Sequence, residues 1–113
     1  MSDCVFCRIV AGELPARVRA SSPDALAFDD IAPQAPVHVL IVPKAHHRDV
    51  PGMTAADPGL AAELIGLAAE VAAATGIAEP GYRLIANTGP GGGQTVFHAH
   101  LHLLGGTRLN WPG

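Results

Sequence analysis

The chain reads FHAHLHLL at residues 97–104, and this stretch holds three of its six histidines. Successive side chains of a β-strand point to opposite faces, so alternate residues share a face. The pattern predicts a strand over residues 96–104 with three histidines on one face, at successive spacings of about 6.6 Å. These histidines are His98, His100 and His102. The residues between them are expected to face the core: Phe97, Ala99, Leu101 and Leu103.

The histidine row has three interpretations that the residues alone leave open. It could be the polar face of a half-exposed strand, although serine, threonine or lysine would serve equally well there. Alternating histidines can also ligate zinc. Finally, a neutral imidazole can attack phosphorus and leave again, while neighbouring histidines bind the phosphate oxygens.

A glycine-rich loop, NTGPGGGQT at residues 87–95, leads directly into this row. Glycines let backbone N–H groups approach an anion closely. Such a loop is often only a flexible connector. Its position immediately before three aligned histidines favours phosphate binding.

The remaining segments predict one long helix, one short helix and four more strands. Asp57 is a plausible N-cap, Pro58 suits the first helical position and Gly76 supplies a stop, so the long helix lies between them. Its apolar stripe consists of Leu60, Leu64, Leu67 and Val71. A short N-terminal helix is predicted over residues 5–10, and strands over 17–20, 25–29, 37–42 and 82–87. These elements predict an α+β domain with a five-stranded, mainly antiparallel sheet.

Length, charge and composition exclude several classes of protein. A chain of 113 residues has room for one domain, residues 1–113, and a hydrophobic content of 49% excludes intrinsic disorder. With a net charge of −3 and no basic stripe, bulk nucleic-acid binding is not expected. No apolar run reaches the length of about 18 residues that a membrane span needs. The first residues show no secretory signal, so we expect a cytoplasmic protein.

Several segments, taken in order, resemble the histidine triad (HIT) superfamily and, within it, the Hint-like purine nucleoside phosphoramidases. The most specific is the His-x-His-x-His-x-x run at residues 98–104. The others are CVFCRI at 4–9, AFDDIAPQAPVH at 27–38, VPK at 42–44, GQTVF at 93–97, GG at 105–106 and WPG at 111–113. The resemblance therefore covers nearly the whole chain.

This resemblance implies a HIT fold and hydrolysis of purine nucleoside 5′-phosphoramidates through a nucleotidyl-histidine. His100 would be the nucleophile, through Nε2, and the carbonyl of His98 would hold the proton on Nδ1. His102 and His38 would contact the phosphate and help to protonate the leaving group. The alternatives are a dinucleoside polyphosphate hydrolase or nucleotidyl transferase of the same superfamily, or a nucleotide-binding regulator with little turnover.

The resemblance also implies a nucleotide site. Asp30 would hydrogen-bond the ribose, while Phe28 and Ile31, with Ile9 as a weaker candidate, would line the base pocket unless they simply pack in the core. Asp29 is expected to be a solvated turn charge. The residues around the phosphate would be Asn87, Gly93, Gln94 and Thr95. The sequence departs from the family pattern at Thr95, where serine is common, and at Asn110, where animal forms carry histidine.

A metal site is implied by similar bacterial proteins, which bind zinc through a cysteine pair, a histidine after Pro-Lys-x and the first triad histidine. The matching residues here are Cys4, Cys7, His46 and His98. Such a zinc would be structural, and none would be needed for the chemistry. Otherwise the cysteines are two small residues of a short helix. His47 receives no role.

The resemblance further implies a homodimer that binds purine nucleoside monophosphates and phosphoramidates. Alanines beside the leucine stripe of the long helix would let a second helix approach closely. The C-terminal segment 107–113 carries the single tryptophan, Trp111. Indoles are enriched at interfaces, so we expect this segment at the dimer interface, where it reaches the partner's active site and Trp111 contributes to nucleotide binding. The alternative is an indole folded back over its own sheet.

Overall fold

The computed structural model describes residues 3–111 of the protein. Within this range the helices are α1 (Val5–Val10), α2 (Val50–Ala56) and α3 (Pro58–Ala74), with a short 3₁₀ helix at Pro90–Gly92. The strands are β1 (Val18–Ser21), β2 (Ala25–Asp29), β3 (Val37–Pro43), β4 (Tyr82–Ile85) and β5 (Leu101–Gly105). They form one sheet in the order β1-β2-β3-β5-β4, antiparallel at every junction. The predicted α+β class, with one long helix and a short N-terminal helix, is confirmed.

Helix α3 packs on one face of the sheet through the predicted stripe. Leu60, Leu64, Leu67 and Val71 are buried against strand residues that include Val39, Ile41 and Leu103. The helix begins where expected, because the Asp57 side chain accepts a hydrogen bond from the Leu60 N–H. Each fully buried leucine contributes about 1.5–3 kcal/mol of transfer free energy.

Helix α1 covers part of the opposite face, where a second apolar cluster contains Phe6, Phe28, Leu40 and Val42. Strand β3 is therefore buried on both faces, since its alternate residues contribute to the two clusters. This explains why residues 37–42 are apolar almost without interruption, unlike a half-exposed strand. The second face also carries the candidate site.

The last strand is shorter than predicted. β5 begins at Leu101, so His98 and His100 lie before the residues that pair with the neighbouring strands. The predicted strand over 96–104 is therefore wrong in its first half. The cause is a different hydrogen-bond partner, because the Ala99 N–H donates to the carbonyl of His47, at 2.7 Å, outside the sheet. Phe97 is also misplaced by the strand pattern, since it lies under the Arg48 guanidinium, 4.5 Å from the ring centroid, rather than in the core.

Helix α2 was not predicted. It contains Pro51 and Gly52, which have poor helix propensity. Its start nevertheless carries a sequence signal, because Asp49 is the N-cap and accepts from the Gly52 N–H at 2.8 Å, with proline in the first turn. Smaller differences are that β1 runs one residue later than predicted and that β4 ends two residues earlier.

None of the helices within residues 3–111 is long and apolar enough to cross a membrane.

Candidate active site

His100 stands at the centre of the candidate site, with only 6% of its surface exposed. Its Nδ1 lies 2.7 Å from the carbonyl oxygen of His98. A carbonyl oxygen can only accept, so Nδ1–H is the donor and the neutral ring keeps a lone pair on Nε2. This is the tautomer that a nucleophilic imidazole requires.

A second chain of hydrogen bonds fixes the tautomers of His38 and His102. The Gln34 N–H donates to His38 Nδ1 at 3.0 Å, so the His38 proton sits on Nε2. That Nε2 lies 2.9 Å from His102 Nδ1, which must therefore accept. The remaining proton of neutral His102 is consequently on Nε2. His38 lies behind His102 and is not among the residues that line the cleft beside His100.

The electrostatic environment keeps His102 neutral. Burial is the largest of the causes that lower the pKa of His102 to about 4; the neighbouring His100 and His38 also lower it, and Asp30 opposes them. A histidine with this pKa is uncharged at pH 7 and presents an N–H donor rather than a cation.

This pKa predicts how stability depends on pH. The folded-state pKa of His102 lies below its unfolded value of about 6.5, so its stabilising contribution is complete above pH 6.5. The contribution is lost as pH falls from about 6.5 to about 4. We expect the melting temperature of His102→Gln to fall less over this interval than that of wild type, measured by calorimetry. His47→Gln is the control, and parallel curves for wild type and His102→Gln would contradict the assignment.

The two neighbouring aspartates have different environments. Asp30 accepts from the Ala32 N–H through Oδ1, at 2.8 Å, and its Oδ2 lies 3.4 Å from His38 Nε2. Asp29 instead ends β2 and pairs with Arg19 through two contacts of 2.7 and 3.0 Å. The expectation of a solvated turn charge at Asp29 is therefore wrong, because an arginine on the neighbouring strand pairs with it.

A cleft of about 500 Å³ opens beside His100 and His102, and its walls are mostly apolar. Among the residues predicted for a nucleotide site, the lining includes Ile9, Phe28, Asp30, Ile31, Asn87, Gly93 and Thr95. Ile31 is fully exposed at 100%, so the core-packing alternative is wrong for this residue. Phe28 is buried in the second apolar cluster and also lines the cleft.

Several other residues of the cleft wall were not predicted from the sequence, among them Phe6 and Leu40. Phe6 lies between the two cysteines, and that position was its only sequence signal. Leu40 lies in the continuous apolar run of β3, where periodicity does not show which residues face α3 and which face the cleft.

The glycine-rich loop is held by two amide side chains. Gln94 is 4% exposed; its Oε1 accepts from the Gly89 N–H, and its Nε2 donates to the carbonyls of Arg48 and Val96. The Asn87 Nδ2 donates to the Gly92 carbonyl at 2.8 Å. Gly93 has a φ of 85°, which favours glycine. The buried Gln94 side chain therefore fixes the conformation of the loop, and it is not among the residues that line the cleft.

The C-terminal segment leaves the sheet after β5. Trp111 is 88% exposed, so the alternative of an indole folded over its own sheet is wrong. An Arg83 Nη donates to the carbonyl of Asn110 at 2.8 Å, which ties this segment to β4. The predicted interface segment extends to residue 113, and residues 112–113 lie outside the described range.

A second cluster brings together all four residues named for a metal. His98 Nδ1 lies 3.3 Å from Cys4 Sγ, 3.5 Å from Cys7 Sγ and 3.1 Å from His46 Nδ1. The distance from Cys7 Sγ to His46 Nδ1 is 3.4 Å. Cys4 caps α1 and Cys7 lies in its first turn, so the cluster joins α1 to the start of the histidine row.

The donor set of this cluster fits a zinc ion. Zn–S bonds of about 2.3 Å and Zn–N bonds of about 2.0–2.1 Å imply S···N separations of about 3.5 Å and an N···N separation of about 3.3 Å in a tetrahedron. The His98 Nε2–H donates to the Pro43 carbonyl at 2.8 Å, which leaves the Nδ1 lone pair for a metal. Burial also lowers the pKa of His98 and so favours its neutral form.

The cluster of Asp30, His38 and His102 does not fit a metal in the same way, although its donor atoms are also close together. His38 Nε2 carries the proton, because the Gln34 N–H occupies Nδ1. A protonated nitrogen has no lone pair for a cation. This cluster is better described as a hydrogen-bonded group that orients His102.

Comparison with known proteins places this sheet and its alternating histidines in a defined class. The family described as the HIT domain matches residues 11–109. The chain therefore belongs to the HIT domain family.

Similar proteins match over almost the full chain. An uncharacterized HIT-like protein of Synechococcus elongatus is 46% identical over 110 residues, covering 97% of this chain and 96% of the relative. A solved structure of a HIT family hydrolase from Legionella pneumophila is 47% identical, with a TM-score of 0.93, covering 97% of this chain and 98% of that one. The histidine triad nucleotide-binding protein of Candida albicans is 28% identical, with a TM-score of 0.84, covering 98% and 84%.

Proposed function

We propose that this protein hydrolyses purine nucleoside 5′-phosphoramidates, releasing the nucleoside monophosphate and an amine through a nucleotidyl-His100 intermediate. The observation that carries the proposal is the 2.7 Å contact from His100 Nδ1 to the His98 carbonyl. It leaves the Nε2 lone pair for attack in a ring that borders the cleft. The similar Legionella protein, called a hydrolase, and the Candida protein, called nucleotide-binding, support the same reading.

The reaction has two displacement steps at phosphorus. In the first, His100 Nε2 forms a bond to phosphorus while the P–N bond to the amine breaks. The leaving nitrogen takes a proton from a water molecule, and the Nε2–H of neutral His102 stabilises the hydroxide that remains. The positive charge that develops on the His100 ring is stabilised by the His98 carbonyl at Nδ1. In the second, the hydroxide attacks phosphorus and the P–Nε2 bond breaks, which releases the nucleoside monophosphate and restores neutral His100.

The residues around the cleft receive the following roles. Asp30 binds the ribose hydroxyls, while Phe28 and Ile31, with Ile9, contact the base. The Gly93 backbone and the Asn87 and Thr95 side chains surround the phosphate. These assignments rest on the resemblance together with the membership of each residue in the cleft lining. Thr95 keeps a hydroxyl where serine is common, so the contact it provides is preserved.

Two residues receive different roles from those that the resemblance implies. His38 orients His102 through its Nε2–H and does not touch the phosphate, because it lies behind that ring. Gln94 acts through the shape of the glycine-rich loop, since its side-chain amide is already bonded to three backbone groups.

We also assign a structural zinc to Cys4, Cys7, His46 and His98. Bound there, the ion would supply a structural cross-link and would take no part in the chemistry. Cys4 and Cys7 would thereby tie α1 to His98, whose carbonyl orients His100.

The proposed assembly is a cytoplasmic homodimer of single HIT domains. β4 is an edge strand and leaves one row of backbone groups without a strand partner in the sheet. Ile65 of α3 is 55% exposed and Tyr82 of β4 is also exposed. Burial of these side chains and of Trp111 against a second copy would remove apolar surface from water.

The proposed role of the tail predicts a change of specificity. Deleting residues 107–113 should alter the choice among leaving amines more than it alters stability, because Trp111 would lie at the partner's site. The measurement is the ratio of kcat/KM for two phosphoramidates that differ only in the amine, on full-length and truncated dimers. An unchanged ratio, or a full-length protein that sediments as a monomer, would exclude this role.

The function itself is tested by offering three compounds in parallel: adenosine 5′-phosphoramidate, a diadenosine polyphosphate and AMP. We expect AMP release from the phosphoramidate to be much faster than from the polyphosphate. Faster cleavage of the polyphosphate would favour the dinucleoside hydrolase. Binding of AMP without turnover of either substrate would favour a regulator.

A further inference from the structure

The imidazole of His100 has a neighbour that the proposed reaction does not use. The ring of Phe6, on α1, packs edge-on against it, with the ring centroids 5.1 Å apart and an interplanar angle of 89°. The ring of His102 also packs against the imidazole of His100, with the ring centroids 5.0 Å apart and an interplanar angle of 64°. With the hydrogen bond from Nδ1 to the His98 carbonyl, the imidazole of His100 has three contacts that restrict it.

Phe6 is itself held firmly. Its ring contacts Phe28 at 5.6 Å and His98 at 5.9 Å, both edge-on, and it is 6% exposed. The helix that carries it is anchored by Cys4 and Cys7, whose sulfur atoms both lie within 3.5 Å of His98 Nδ1. His98 therefore contacts both cysteines of α1 through its Nδ1 and accepts the hydrogen bond from His100 through its carbonyl.

We propose that Phe6 is a positioning residue that holds the His100 ring in its attacking orientation. The single hydrogen bond at Nδ1 still allows the ring to tilt about the Nδ1···O direction, and the edge of Phe6 restricts that tilt. This inference rests on the proposed function, in which His100 Nε2 bonds to phosphorus. A displacement of about 1 Å in a reacting group can lower the rate by about 10²-fold.

A simpler role for Phe6 would be packing against the base, since it also lines the cleft. The two roles differ in kinetics. A group that contacts the base equally in the ground and transition states changes KM and leaves kcat unchanged. A group that aligns the nucleophile changes kcat and has little effect on nucleotide affinity.

The test compares Phe6→Leu and Phe6→Ala with Val10→Ala as the matched control. Val10 lies on the same helix and packs against the second apolar cluster, but it is not among the residues that line the cleft. We expect kcat for adenosine 5′-phosphoramidate to fall about 10-fold in Phe6→Leu and about 10²-fold in Phe6→Ala. The Kd for AMP should change less than about threefold, and Val10→Ala should keep the wild-type kcat.

A second measurement does not depend on turnover. NMR relaxation of the His100 ring C–H bonds reports how widely the ring tilts. We expect high order parameters in wild type and Val10→Ala, and lower ones in Phe6→Leu, because the hydrogen bond to the His98 carbonyl alone leaves the tilt free. Phe6→Leu keeps most of the apolar volume, so it tests the proposal even where Phe6→Ala fails to fold. Unchanged kcat and unchanged ring order parameters in Phe6→Leu, or a weaker AMP Kd with normal kcat, would overturn the proposal.

Failure of this proposal and failure of the proposed function have different signatures. If wild type cleaves no phosphoramidate, the proposed function fails, while the ring order parameters still show whether Phe6 fixes the His100 ring. If wild type is active and Phe6→Leu matches it in kcat and in ring order parameters, only the role of Phe6 is wrong.

Discussion

Replacing His100 with alanine is expected to lower kcat for adenosine 5′-phosphoramidate by about three orders of magnitude or more, as loss of a covalent nucleophile does in other enzymes. Among the histidines of residues 3–111, only His100 has its Nδ1 proton bonded to a carbonyl, and its ring lines the cleft. Affinity for AMP should survive, because the apolar walls, Asp30 and the glycine-rich loop are unchanged. The measurements are steady-state kinetics and AMP binding by calorimetry.

The matched control for this variant is His47→Gln. His47 is half-buried near the same segment but has no proposed role. It should keep wild-type turnover. A His100→Ala protein that hydrolyses the phosphoramidate at close to the wild-type rate would rule out the covalent mechanism, whatever its affinity for AMP.

Loss of the metal should produce the largest change in stability. We expect one zinc per subunit in protein purified without a histidine tag, and a melting temperature lower by about 10 °C or more after chelation. The reason is that metal binding contributes directly to folding, and about 1 kcal/mol corresponds to about 4–8 °C in a domain of about this size. Cys4→Ser and Cys7→Ser should each reproduce the effect, because each removes one ligand from a four-ligand site.

Added zinc should restore the chelated wild type but not the serine variants. His47→Gln again serves as control, since it neighbours His46 without belonging to the cluster. Metal-free wild type whose melting is unchanged by added zinc would leave the cysteines as packing residues at the start of α1.

Sequence periodicity predicted the sheet and helix α3 well, because their side chains obey simple repeats. The stripe of α3 and the run of β3 lie where alternation and helical spacing place them. The same reasoning failed at His98 and His100, because a hydrogen bond to a loop carbonyl replaces a strand partner there. Alternation along a chain carries no information about such a distant acceptor.

The sequence predicted which residue types form the candidate site, but not which of them face the cleft and which lie behind those residues. Motif resemblance predicts Gln94 and His38 beside the phosphate, but it carried no information about the protein groups to which their side chains bond. It also missed Phe6, whose contact with His100 joins segments far apart in sequence. Which residue touches a ligand and which supports another residue is decided by tertiary packing.

The proposed mechanism requires a covalent bond between His100 Nε2 and phosphorus, and this bond can be trapped. Wild type and His100→Ala are mixed with adenosine 5′-phosphoramidate, quenched in alkaline denaturant during the first turnover and analysed by intact and peptide mass spectrometry. We expect one adenylyl group per wild-type subunit, on the peptide that contains His100, and none in the variant. Rapid hydrolysis without any adduct, or an adduct on another residue, would contradict it.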